Sequence, residues 1–175
     1  MPISPVVIKL MLLVPLAVSV IYCDVRFRRI PNVLVLSTLI AGLAINVSFG
    51  GARGALSSVT GFFVAFVPMF LMHIFGAMGA GDVKLFAAIG AVVGLALVPL
   101  TFVVVVMVGA VLAIYSMIRS RTVFSTLHGV LRIFVGLLPG WEMPRFSLPA
   151  DRQHTIPYGV AIMLGSVIAV AFFPR

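Results

Sequence analysis

Asp24 and Asp82 stand at the ends of long apolar runs, in the matching tripeptides Asp24-Val25-Arg26 and Asp82-Val83-Lys84, in a chain of 175 residues with only four acids. A carboxylate beside hydrocarbon costs about 2.5–3.5 kcal/mol at the centre of a membrane helix and less toward its edge, so an acid kept there is read first as functional. Two such acids can form a proteolytic dyad, in which one carboxylate takes a proton from water while the other donates to the carbonyl oxygen of the scissile bond. Like charges about 3 Å apart cannot both ionise, so one member of such a pair must hold a proton. Asp82 is expected to open a helix, where free amides favour an anion, and Asp24 to close one, where they do not. On that reasoning Asp82 is the more acidic member. Taken singly, each aspartate reads as a helix-end residue paired with a neighbouring Arg or Lys; taken together, they point to chemistry.

The elements that must position these acids are membrane helices. The composition is 62% hydrophobic and 9% charged, against roughly 45–50% and 25% in soluble domains. A bilayer core about 30 Å thick takes about 20 apolar residues per helix. Six segments qualify: Val6–Tyr22, Val33–Phe49, Leu56–Phe75, Val83–Leu97, Leu100–Ile118 and Ile156–Phe173. The fourth and fifth are divided at Val98-Pro99, because proline removes a donor and disfavours helix before it. The fold class expected is therefore an all-α integral membrane protein of about six transmembrane helices. Between Arg119 and Thr155, the stretch Val123–Leu138 carries a thin polar stripe (Ser125, His128, Gly129, Arg132, Gly136) among apolar residues, which predicts an amphipathic helix in the interface plane.

The net charge of +8 is not a nucleic-acid signature, since no basic-aromatic stripe interleaves it. The cations lie between spans and read as topology signals. In the six-span arrangement Arg26, Arg28, Arg29, Lys84, Arg119, Arg121, Arg132, Arg145 and Arg152 share one side, and Lys9, Arg53 and Arg175 the other. Nine against three places the first, third and fifth loops in the cytoplasm, and both Asp24 and Asp82 with them. The approach to Asp82, Gly76-Ala77-Met78-Gly79-Ala80-Gly81, holds three glycines that permit unusual backbone angles and close approach. Gly50–Gly54 reads as a flexible turn on the opposite face.

Other residues take plain readings. Cys23 is the single cysteine, which excludes an internal disulfide and a cysteine zinc cluster. His73 has no second ligand at metal spacing, so no metal site and no cofactor are expected. Glu142 and Asp151 read as solvated loop charges, and Trp141 as a headgroup-level indole. Lys9 and the apolar run after it resemble a signal peptide only superficially, with Ala17-Val18-Ser19 a poor cleavage site.

The stretch Asp24-Val25-Arg26-Phe27-Arg28-Arg29-Ile30-Pro31-Asn32 resembles the first-aspartate motif of the prepilin peptidases, and Gly79-Ala80-Gly81-Asp82-Val83-Lys84 resembles their Gly-x-Gly-Asp-x-Lys motif. Ile156-Pro157-Tyr158-Gly159, opening the last span, is similar to a further stretch common in that family. The resemblance implies a single transmembrane peptidase domain over 1–175, acting as an aspartic endopeptidase that removes the leader of type IV prepilins or pseudopilins. Its partners would be that substrate and the lipid bilayer, with no nucleic acid, and it would work at the cytoplasmic face of the inner (plasma) membrane. It assigns catalysis to Asp24 and Asp82, backbone shaping to Gly79 and Gly81, and accessory roles to Lys84, Arg28, Pro31 and Asn32. Longer members carry an amino-terminal segment with paired cysteine motifs and also methylate the new amino terminus. A single cysteine and no such segment are the pattern of the short, peptidase-only branch serving tight-adherence pili. Two other classes stay open on the residues alone: an ion or small-solute transporter using membrane-edge acids, and a non-catalytic assembly subunit. Transporters usually place their acids near the midplane, between broken helices; acids at helix ends on one face suit a protease at the interface.

Overall fold

A computed structural model describes residues 4–76, 78–120 and 158–173. Its described residues form five helices and no strand: α1 (Pro5–Phe27), α2 (Asn32–Ile74), α3 (Ala80–Val93), α4 (Val98–Ser120) and α5 (Tyr158–Phe172). Three of them, α1, α2 and α4, are long and apolar enough to cross a membrane. The predicted interfacial helix Val123–Leu138, with Trp141, Glu142 and Asp151, lies outside the described residues.

α2 is two helical arms rather than one rod. Gly51 takes φ 55° and ψ −134° in its middle, a conformation open to glycine at little cost. Asn46 Nδ2 and Ser58 Oγ both donate to the carbonyl of Ala91, each at 2.7 Å, whereas twelve residues of straight helix would hold them about 18 Å apart. The chain therefore turns back at Gly51, so that residues 32–50 and 52–74 clasp α3 between them. This matches the expectation of two apolar segments here.

The clasp is close because its contacts are small. A Cβ on Gly42 would meet the Val92 side chain at 2.6 Å and its backbone at 2.9 Å. Gly61 and Gly90 lie against each other's carbonyls, and a Cβ on Gly90 would reach that of Ala65 at 2.6 Å. Lipid tails are as apolar as leucine, so association inside a bilayer relies on such close backbone approach more than on burial of apolar area. α3 is enclosed as a result: every residue from Leu85 to Val93 is buried.

At 14 residues, α3 is only about 21 Å long, shorter than a hydrocarbon core. It stops at Gly94, which takes φ 82°, leaving carbonyls without helical partners. Neighbouring side chains take them up. Asn46 serves Ala91 and Val92 (2.7 and 3.1 Å), Ser58 serves Ala91, and Lys9 Nζ reaches the Val93 carbonyl at 3.3 Å. The Leu95 amide then donates to the carbonyl of Ser57. Without water, unpaired backbone groups are costly, and these caps let a helix end inside the bundle. The break between the predicted fourth and fifth spans therefore falls at Gly94–Leu97, not at Val98-Pro99. Pro99 sits in the first turn of α4, where its missing N–H has no helical use.

α1 begins at Ser4, whose hydroxyl accepts from the Val7 amide, with Pro5 at the first turn. It runs antiparallel to α3: Lys9 is at the far end of α3, and Asp24 is near its start. α5 packs against α1, α3 and α4. A Cβ on Gly165 would meet Val105 at 2.7 Å, and one on Gly109 would meet Ala161 at 3.7 Å, so α4 and α5 are antiparallel neighbours.

Candidate active site

Asp24 belongs to the last turn of α1, not to a loop after it. α1 continues past the apolar segment to Phe27, and Arg28 then closes it in the left-handed region (φ 53°) with its amide on the Asp24 carbonyl at 3.0 Å. Asp24 is 8% exposed. Its carboxylate faces the first turn of α5, where the amides of Gly159 and Val160 act on it. Oδ2 itself is buried and has no hydrogen-bond partner of ordinary geometry among the described residues.

Asp82 lies in the first turn of α3, ahead of the apolar stretch that begins at Val83. Gly79 is the N-cap residue in extended backbone (φ −73°, ψ 145°). The Asp82 carboxylate turns back to accept from the Gly79 amide, which is half of a capping box. A Cβ at position 79 would stand 3.0 Å from Asp82 Oδ2, so glycine gives the carboxylate room to make this turn. Gly76, ahead of it, takes φ 74°. Gly81 has no such need, since a Cβ there meets Ile30 at 3.6 Å, ordinary contact.

The two carboxylates, 58 positions apart in sequence, come together at the end of the bundle where α1 finishes and α3 starts. The negative charge of Asp24 acts on Asp82. Burial, first, and that charge, second, outweigh the Gly79 amide and push the Asp82 carboxyl up to about 6. A helix start was expected to favour the Asp82 anion, and here it does not keep that carboxyl in the ordinary acidic range. One amide donor does not offset burial beside a like charge.

Comparison with known proteins bears on this geometry. The sequence model of the type IV leader peptidase family matches residues 11–114, a stretch that includes both aspartates and the whole of α2 and α3. The chain belongs to the type IV leader peptidase family. It is also 29% identical, over 171 residues, to the prepilin leader peptidase/N-methyltransferase of Bacillus subtilis (strain 168), covering 96% of this chain and 55% of that protein. The chain thus spans about half the length of this curated relative. No solved structure matches it.

The remaining predicted residues of this family member are placed as follows. Arg28 is exposed, and its charge acts on Asp24. Pro31 is the N-cap of α2, its carbonyl accepting from Leu34 and Val35, and Asn32 is the first residue of that helix, exposed. Lys84 is exposed on α3. His73 turns Nδ1 to the carbonyl of Met78 at 2.8 Å, bracing the loop that leads to Gly79. Among the described residues no group of three or more His, Cys, Asp or Glu is gathered that could hold a metal ion. Sequence reasoning did not foresee that α5 supplies amides to Asp24. The glycine opening that apolar segment was the available signal.

Proposed function

We propose that this chain is a membrane aspartic endopeptidase that removes the leader peptide of type IV prepilins or pseudopilins at the cytoplasmic face of the inner membrane. The observation that carries the reading is the meeting of Asp24 and Asp82 at one end of the bundle, close enough for the charge of one to oppose ionisation of the other. Such a pair shares a proton. One carboxylate takes a proton from water as the water oxygen bonds to the scissile carbonyl carbon, and the other protonates the carbonyl oxygen. Collapse of the tetrahedral species breaks the C–N bond, the proton taken from water passes to the leaving amine, and the second carboxyl recovers its own. Membership of the leader peptidase family supports the peptide-bond substrate, and the name of the Bacillus subtilis relative supports a prepilin as its source.

The nine-to-three distribution of basic residues supports a cytoplasmic site. Gly79 gives Asp82 its conformation, while Arg28 and Lys84 serve as accessory cations at the mouth of the site. The test is cleavage of a purified prepilin by the purified protein in detergent or vesicles. One cut between the basic leader and the apolar helix is expected, lost in Asp24→Asn and in Asp82→Asn. Full cleavage by either variant would exclude the aspartic reading.

A further inference from the structure

Asp24 presents an unusual combination. It is more than nine-tenths buried, its Oδ2 has no hydrogen-bond partner among the described residues, and that oxygen is aimed into the amino end of α5. A Cβ on Gly159 would stand 2.6 Å from Oδ2 and 3.1 Å from Cγ. The carboxylate therefore occupies the space that any other side chain at 159 would need. α5 has 15 residues, and the first amides of such a helix have no intrahelical partner and carry a positive partial charge. Burial weighs most against the Asp24 anion, and the amides of Gly159 and Val160, with Arg28, act in its favour.

Resting on the aspartic reading above, we propose that Gly159 is a positioning residue: it lets the amino end of α5 seat Asp24 as the anionic base of the pair, which leaves Asp82 as the acid. In this assignment Asp24 takes the proton from water, and Asp82 protonates the carbonyl oxygen. Among the described residues, few other ionisable groups stand near the pair, and Arg26 and Arg29, close to Arg28 in the sequence, are exposed. Arg28, just beyond α1, acts on Asp24. Lys84 on α3 is exposed, and His73 on α2 is engaged with Met78. The charged residue of α4 nearest this end is Arg119, in its last turn. α5 contributes Tyr158 and no charged side chain.

The test is the pH profile of prepilin cleavage by the full chain. Gly159→Ala displaces Asp24, and a shift of about 1 Å in a reacting group costs up to about 100-fold, so kcat falls about 10- to 100-fold while KM stays within about twofold. Glycolic acid in place of Gly159, or the α-hydroxy acid of valine in place of Val160, introduced by nonsense suppression, replaces the amide N–H with oxygen and adds no volume. With one N–H dipole removed from the helix end, the acid limb of the profile moves up by about one pH unit, and the alkaline limb, set by Asp82, moves less. Gly109→Ala, at the contact between α4 and α5 and with room for its methyl, keeps the wild-type profile. If Gly159→Ala fails to fold, the ester variants decide. Ester variants with an unchanged profile, or with only the alkaline limb moved, would overturn the assignment. Should that happen while Asp24→Asn and Asp82→Asn are inactive, the aspartic reading stands and only the role of α5 is lost; active asparagine variants would remove both.

Discussion

Asp82 shows how much of a residue's chemistry is decided by groups far away in sequence. Its place at a helix start could be read from Gly79-Ala80-Gly81-Asp82, and the fold keeps it there. What local sequence could not supply was its burial and the charge of Asp24, which together push the carboxyl up to about 6 from 3.8. The sign of the resulting pH dependence follows. A carboxyl whose pKa is higher in the folded than in the unfolded chain binds more protons when folded, so its contribution favours the fold at low pH. That contribution declines as pH rises from about 4 to about 6 and is flat above. Thermal unfolding of wild type and Asp82→Asn in detergent should therefore diverge across this window, with wild type losing Tm relative to the variant as pH rises. Asp24→Asn removes the opposing charge and should move the midpoint of the wild-type decline to lower pH. The need for glycine was legible at 79, where a side chain would crowd Asp82 Oδ2. At 81 nothing in the structure explains it.

At the level of elements, α3 is the part whose behaviour was least visible in sequence. Hydrophobicity predicts a span through Leu97, but the helix ends at Gly94, after 14 residues, where Asn46, Ser58 and Lys9 donate to its last carbonyls. Hydropathy cannot register such caps, since their donors come from α1 and α2. Proline misled for a related reason: Pro99 breaks a helix interior but suits a first turn, and the bond of the Leu95 amide to Ser57 decides between them. Asn46→Ala frees the Val92 carbonyl and takes one of two donors from Ala91. An unsatisfied buried group costs about 1–3 kcal/mol, so a marked fall in thermal stability is expected. Ser58→Ala should cost less, since Asn46 still serves Ala91. Gly61→Leu, placed against the Gly90 carbonyl, should be the most damaging of the three in the same melt, because α2 could no longer close on α3.

At the scale of the whole molecule, composition alone announced membrane helices, and the helical hairpin at Gly51 agrees with the two apolar segments read there. The site was legible as a pair of motifs but not as a place, because it is assembled from three elements. α1 brings Asp24, α3 brings Asp82, and α5, more than seventy residues further on, brings the amides beside Asp24. Orientation is an expectation of the charge distribution: a reporter fused between Arg119 and Thr155 should behave as cytoplasmic, and one fused at Gly50–Gly54 as external. An external signal from the long loop would separate the proposed site from the cytoplasmic face. The most direct measurement of the central claim compares prepilin cleavage by wild type, Asp24→Asn, Asp82→Asn and the double variant, each purified and folded. Residues that act as one catalytic unit are not additive, so each single variant should lose nearly as much rate as the double. A single variant cleaving near the wild-type rate, or losses that multiply independently, would contradict a shared-proton dyad.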